Sequence, residues 1–316
     1  MRVLFWGTPE FATPALRALL GEGFDVVAVV TQPDRAVGRS RSTLQPSPVK
    51  RIAIAEDIPV LQPERPRGDA FLAAVAALAP DLSVVVAYGQ ILPAAVIDLP
   101  ARGTINIHAS LLPSLRGAAP IQAAIRDGHE ETGITIMRLV PRLDAGPIIL
   151  QARTAILDDE TYGELSLRLS EQGALLLIEA VSLIALGHAP EAEQDEAAAT
   201  YAPKIEREMA RVDWTADARS VGRVIRAYDP RPGAFSQLRG GAVKLFGARA
   251  APRTERAHPG EVIGVGTEGL IVACGRGAVS IRTMQPAGRR RLTADEWARG
   301  RGVAVGDRFE SGSSDA

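Results

Sequence analysis

Apolar and polar positions follow two regimes along the chain. Residues 2–7 are a short apolar run that stops at Gly7-Thr8-Pro9. Pro9 suits the first turn of a helix, and Phe11, Ala12, Ala15, Leu16, Leu19 and Leu20 then recur at helical spacing. Residues 25–31 (DVVAVVT) are β-branched and nearly all apolar, as in a strand covered on both faces. The alternation continues with a strand at 58–61, a helix at 69–79, a strand at 82–87, a helix near 93–99 and a strand at 104–107. A helix at 118–127, strands at 133–139 and 147–157, and a long apolar-periodic helix over 160–186 complete it. Such alternation predicts an open, largely parallel α/β sheet.

The pattern changes at Gly187. Residues 187–200 (GHAPEAEQDEAAAT) are acidic and Ala-rich, the composition of a linker. After a helix near 217–226 come short strands at 233–238, 242–248, 260–265, 270–273 and 278–284, separated by Gly-rich turns. Regular short strands predict a small closed or half-closed barrel of about 100 residues. The division expected is residues 1–187, a linker over 188–203, and 204–316, with a frayed tail from Ser311.

Composition narrows the class. The length of 316 residues suits two domains, and 46% hydrophobic with 23% charged residues excludes a disordered chain. The single cysteine, Cys274, rules out an intramolecular disulfide and reads as a small buried hydrophobe. His129, His188 and His258 have no partner at metal or catalytic spacing and read as surface residues. The N-terminal apolar run is too short for a signal peptide, and no apolar run approaches the ~18–20 residues that span a bilayer. The chain is expected to be a cytoplasmic monomer with no metal and no membrane.

Net charge, formally -1, first argues against a nucleic-acid partner. Its distribution argues otherwise. Residues 1–203 carry 16 Lys and Arg against 24 Asp and Glu, whereas Lys204 onward carries 20 against 13. The basic excess, with Arg219, Arg223, Arg226, Arg231, Arg239, Lys244, Arg249 and Arg289-Arg290-Arg291, suits phosphate contact or a solvated basic face.

Candidate chemistry concentrates around Asn106-Ile107-His108 and Ser110-Leu111-Leu112-Pro113. Gly7-Thr8-Pro9 has only one of the three glycines of a dinucleotide fingerprint, so a nicotinamide or flavin is not expected. On a strand, residues i and i+2 share a face, so Asn106 and His108 project together at the C-terminal edge of the sheet. An amide and an imidazole side by side can stabilise an oxygen that gains charge. The same pair on its own also serves to cap the following loop. Asp144, in the turn after the strand at 133–139, joins them if the two strands end near each other, and would then handle a proton. Residues 33–50, with Arg35, Arg39, Arg41 and Lys50, form a long polar connection of the kind that is either functional or mobile.

Asn-x-His followed by Ser-Leu-Leu-Pro, with an Asp in a downstream turn, resembles the 10-formyltetrahydrofolate-dependent formyltransferases. The resemblance implies Asn106, His108 and Asp144 as the catalytic set and Ser110, Leu111, Leu112 and Pro113 at the folate. It places the pterin against Tyr88, Gly89, Gln90, Ile91 and Leu92 and against residues 140–143. The blocks 5–12 (FWGTPEFA), Thr31-Gln32-Pro33-Asp34-Arg35 with Gly38-Arg39, Ser47-Pro48-Val49-Lys50, and 116–122 (RGAAPIQ) are similar to the branch that formylates methionine on initiator tRNA. By that resemblance the chain is a Rossmann-like formyltransferase domain followed by a barrel of the oligonucleotide-binding type, with 10-formyltetrahydrofolate the formyl donor and initiator methionyl-tRNA the acceptor. The loop carrying Arg39 and Arg41 would enter the acceptor stem. Phe11, read from the residues alone, is a candidate wall of the methionine pocket, although its helical spacing more often marks a core position. Leu115 departs from the family, which usually carries an aromatic residue before Arg116. Siblings acting on nucleotide-linked amino sugars share the catalytic set but usually lack the first two blocks. Glycinamide ribonucleotide formyltransferases end near the first domain. A non-catalytic RNA-binding or folate-sensing protein would have no need of all three catalytic side chains.

Overall fold

The computed structural model describes residues 1–37, 43–251 and 257–311. Its elements, in chain order, begin with β1 (Arg2–Gly7), α1 (Thr13–Gly21), β2 (Asp25–Val30), β3 (Arg35–Val37), β4 (Thr43–Gln45), α2 (Pro48–Ala55), β5 (Val60–Leu61) and α3 (Asp69–Ala77). There follow β6 (Leu82–Val86), α4 (Ala94–Ile97), β7 (Thr104–His108), α5 (Pro120–Asp127), β8 (Glu131–Arg138), β9 (Ile148–Ala155) and α6 (Tyr162–Leu186). The rest are α7 (Ala218–Ala227), β10 (Ala234–Leu238), β11 (Gly241–Ala251), β12 (Val262–Gly266), β13 (Gly269–Ala273), β14 (Ala278–Pro286), β15 (Leu292–Thr293), α8 (Ala294–Arg299) and β16 (Phe309–Glu310). Every strand and helix predicted from periodicity has a counterpart here.

The first sheet has the order β5-β2-β1-β6-β7-β8-β9. β5, β2, β1, β6 and β7 run parallel, and β8 runs antiparallel to β7. Val3, Leu4, Phe5, Trp6, Val84 and Ile105 are fully buried, which is why these strands read as continuous apolar runs. One core gathers Leu4, Trp6, Val30, Val75, Tyr88, Val96 and Ile97. β2 lies on one side of β1 and β6 on the other, so strand order reverses at β1 and leaves a crevice at the C-terminal ends of β1 and β6. Thr8 and Tyr88 follow those two ends, and the Thr8 hydroxyl donates to the Tyr88 carbonyl at 3.0 Å.

The strand pair β3–β4, the helices α2 and α8 and the two-residue strands β15 and β16 were not legible in the periodicity. The polar connection 33–50 contains the strand pair β3–β4 and the first turn of α2. α2 starts at a local signal: Ser47 accepts from Lys50 N, Pro48 follows it, and Val49, Ile52 and Ala53 are buried. α8 likewise opens on a Thr293/Glu296 capping box. α6 is long and apolar enough, by length and composition, to cross a bilayer. Its buried side chains, Leu165, Leu169, Leu177, Val181 and Ile184, recur at helical spacing, the stripe of a core helix.

Strands β12-β13-β14-β11-β10-β16, with β15 on β14, form the second sheet. All its pairings are antiparallel, and it curls into the half-barrel expected of a small oligonucleotide-binding-type domain. Leu245, Val272, Val279, Ile281, Met284 and Cys274 line its interior, fully buried. The described chain divides into two compact units. One is made of 1–117, 132–154 and 166–201, the other of 118–131, 155–165 and 202–316. In the second unit Arg239, Arg249 and Arg290 are paired with Asp307, Asp159 and Glu296. Arg219, Arg231 and Arg289 are exposed.

Candidate active site

β7 is buried along its whole length, and Asn106 and His108 lie on one of its faces, 9% and 6% exposed. Asn106 sits opposite Val85 on β6 and Met137 on β8, and His108 opposite Thr135. The Asn106 side chain makes no hydrogen bond with the described residues, so its amide donors are available. His108 Nε2 lies 3.0 Å from the Leu115 carbonyl, which only accepts, so the proton is on Nε2. Nδ1 faces Asp144 Oδ2 at 3.8 Å.

Asp144 reaches His108 by a different route from the one its position after β8 suggests. Because β8 is antiparallel to β7, its end lies beside the start of β7, where Leu139 N donates to Thr104 O at 2.8 Å. The two strands therefore end at opposite edges. It is the loop 140–146 that folds back to His108. Its course is held at both ends: Arg138 N donates to Pro147 O at 2.9 Å, and Asp144 takes φ +45°. Asp144 Oδ2 also accepts from Gly117 N at 2.8 Å. A Cβ on Gly146 would overlap the Arg138 carbonyl oxygen. Gly146→Ala is therefore expected to lower stability by about 1–3 kcal/mol, the usual range for overpacking, and to slow turnover through displacement of Asp144. Urea unfolding and a rate measurement check this, and an unchanged midpoint would mean the turn yields freely.

The Ser-Leu-Leu-Pro segment is fixed by its surroundings. Ser110 donates to Ser114 O (2.6 Å), and Thr135 donates to Ser110 O and accepts from Leu112 N. Gln151 donates to Leu112 O and to Thr135 Oγ1, both at 2.9 Å. The Leu112–Pro113 peptide is cis. Leu115, at φ +60° and buried, supplies the carbonyl that holds His108.

The segment 88–92 divides. Tyr88 is turned into the core, edge-to-face on Trp6 at 5.3 Å. Its hydroxyl has no hydrogen-bond partner among the described residues, and burial pushes its pKa up to about 12. Gly89 takes φ +92°, a conformation open to glycine, and Ile91 is 83% exposed while Leu92 is buried. Gln90 donates to Gln32 Oε1 and Glu64 O. Next to them, Lys50 donates to Asp34 at 2.6 Å and to Gln62 at 2.7 Å. Gln62 Nε2 also donates to Asp34 at 2.8 Å, and the hydrogen bonds from Lys50 first and Gln62 second hold the Asp34 carboxyl below its usual range. Arg39 and Arg41 lie outside the described residues. Phe11 is partly buried beside α1, and His129, His188 and His258 are exposed.

Residues that sequence reasoning missed come from far along the chain. Gln194, in the tract after α6, is 8% exposed and donates to the Asp144 and Gly146 carbonyls, both at 2.8 Å. Arg116, 1% exposed, is held by Gln194 and Glu196. That contact lowers the Glu196 carboxyl and raises the Arg116 guanidinium. Among the described residues no group of three or more His, Cys, Asp and Glu is placed to hold a metal ion.

An amide and an imidazole thus share one face at the C-terminal end of β7, and a carboxylate reaches the imidazole from the loop 140–146. The sequence model of the formyl transferase family matches residues 1–181, and that of the formyl transferase C-terminal domain matches 204–302. The fold is that of a formyl transferase. The relatives include members of one branch: the methionyl-tRNA formyltransferase of Methylococcus capsulatus is 47% identical over 96% of this chain and 98% of its own length. The chain belongs to the methionyl-tRNA formyltransferase family. Among solved structures, HypX from Aquifex aeolicus in complex with tetrahydrofolic acid superposes with a TM-score of 0.68 at 23% identity, over 94% of this chain and 46% of that one. WlaRD, a sugar 3N-formyl transferase solved with dTDP and 5-N-formyl-THF, gives 0.66 at 17%, over 92% and 99%. At such identities these likenesses speak for the fold alone.

Proposed function

We propose that this protein transfers the formyl group from N10 of 10-formyltetrahydrofolate to the α-amine of methionine on initiator tRNA, for translation initiation. The observation that carries the reading is the convergence of His108 and Asp144 beside Asn106, in a chain nearly half identical to methionyl-tRNA formyltransferase over almost its full length. The amine attacks the formyl carbon as its free base, and a C–N bond forms while the carbonyl oxygen becomes an oxyanion. Asn106 donates to that oxygen. His108 spends its Nε2 proton on the Leu115 carbonyl and presents Nδ1 to Asp144, which receives the proton released by the attacking nitrogen. Collapse of the intermediate breaks the bond to N10, and the folate nitrogen leaves with the proton that Asp144 took from the amine, which restores the carboxylate. Ser110, Leu111, Leu112 and Pro113 and the segment 88–92 would hold the folate. Of Tyr88, the carbonyl rather than the buried hydroxyl faces Thr8 and Gln32.

Residues 1–187 would carry the chemistry, 188–203 join the parts, and 204–316 contact tRNA phosphates through the basic excess of that segment. The activity belongs in the cytoplasm, where charged initiator tRNA is used, and a monomer carries the full catalytic set. The deciding assay offers the protein 10-formyltetrahydrofolate with charged initiator tRNA or with a nucleotide-linked amino sugar. Formylation of the sugar alone would overturn the reading. Arg39→Ala is expected to raise KM for methionyl-tRNA at least about tenfold, the scale of one lost charged contact, with folate KM within about twofold. Equal loss for both substrates would refute a tRNA-contacting role for Arg39.

A further inference from the structure

His108 stands between two loops, and both are tied to one segment of chain. The loop 115–117 supplies the carbonyl on His108 Nε2 and the N–H on Asp144 Oδ2. It is itself held from Thr200: Leu115 N donates to the Thr200 hydroxyl and Arg116 N to the Thr200 carbonyl, each at 2.8 Å. The turn 144–146 is held from Gln194, whose amide nitrogen donates to the carbonyls of Asp144 and Gly146. The amide oxygen of Gln194 accepts from Arg116 Nε at 3.1 Å and Nη2 at 2.8 Å. Two donors and two lone pairs are thereby matched to four partners in a buried place. Glu196 takes the remaining edge of Arg116 at 3.0 and 3.1 Å, and Arg142 pairs with Glu196 in turn.

Filling a cavity would not require an amide there. Burying one is costly unless each polar atom is satisfied, and an apolar side chain of similar volume would pack as well. The amide instead fixes two backbone loops relative to each other, one bearing the carboxylate and the other orienting the imidazole. We propose that residues 194–200 form a strap whose Gln194 is the positioning residue of the His108–Asp144 pair. Acting through the 144–146 backbone and Arg116, it is required for turnover rather than for substrate binding. The proposal rests on the catalytic reading of His108 and Asp144.

Gln194→Glu tests it. The substitution keeps size and an acceptor for Arg116 but replaces the amide donors with a second oxygen facing two carbonyls. The expected result is a kcat about 10–100-fold lower, as for lost supports of a reacting group, with KM for folate and methionyl-tRNA within about twofold. The imidazole 15N signals of His108, assigned by comparison with His108→Asn, should shift and titrate along a different curve across neutral pH. Gln194→Met, neutral and of similar volume, gives the same readouts if the charged variant does not fold. A folded variant with unchanged kcat, a loss confined to KM, or a superimposable His108 titration would each overturn the strap. If the wild type fails to formylate methionyl-tRNA, the proposed function falls, and the 15N titration still decides whether Gln194 positions the pair.

Discussion

Asn106→Ala is expected to lower turnover about 10²–10³-fold, the cost of removing one preorganised donor to a developing oxyanion, or roughly 2.7–4 kcal/mol. The size of the effect follows from position. Asn106 is in the interior of β7, 9% exposed, with main-chain pairing to β6 and to β8 on either side. An amide held this firmly needs no reorganisation when charge forms on the formyl oxygen, and the partly dehydrated site strengthens the interaction relative to water. The loss should fall on kcat, because the ground-state formyl oxygen carries far less charge than the oxyanion. Affinity for methionyl-tRNA, measured by titration without folate, should stay within about twofold, since phosphate contacts dominate it. Asn106→Asp gives a sharper test, since it keeps the shape while placing negative charge beside the oxyanion. Near-wild-type turnover in either variant would remove Asn106 from the catalytic set.

Asp144→Asn should cost about 10²–10⁴-fold in kcat, the range for a positioned proton acceptor. The replacement is conformationally mild. Asp144 sits at φ +45°, and Asn tolerates the left-handed region as well as Asp does. An Asn oxygen can still accept from Gly117 N, as Asp144 Oδ2 does at 2.8 Å. What disappears is the negative charge opposite His108 and the base for the amine proton. Residual activity should then climb with pH as solvent takes over deprotonation, levelling off once the amine is free base. For an unmodified α-amine that would be above about pH 8, and an aminoacyl ester should level off lower. A flat profile with the whole loss in folate KM would make Asp144 a binding residue instead.

How much of this was legible depends on the reach of each signal. Period-2 and period-3.6 patterns are local, and they located β1, β2, β6, β7 and α6 to within a few residues. β7 could be read twice over, as a buried strand and as a carrier of Asn106 and His108 on one face. α2 and α8 have quieter local signals, a Ser-Pro start and a capping box, that periodicity passes over. The basic excess after residue 203 was countable, but the pairing of Arg239, Arg249 and Arg290 with acids was not. Burial separated Tyr88 from its neighbours: its side chain points into the core, while Ile91, three residues on, is open to solvent.

The sequence by itself determined the α/β order, the face shared by Asn106 and His108, the motif that fixes the family, and the charge asymmetry between the two parts. Each is a property of neighbouring residues or of composition, so no folded partner is needed to read it. Tertiary structure alone decided how Asp144 arrives, because the antiparallel sense of β8 sends its end away from His108 and the loop 140–146 must return. It also decided that Gln194, fifty residues beyond Asp144 in a tract with the composition of a tether, holds the turn of the proposed base. A side-chain amide finding two carbonyls so distant in sequence leaves no trace in local spacing; only the packing that buries all three together brings them within reach.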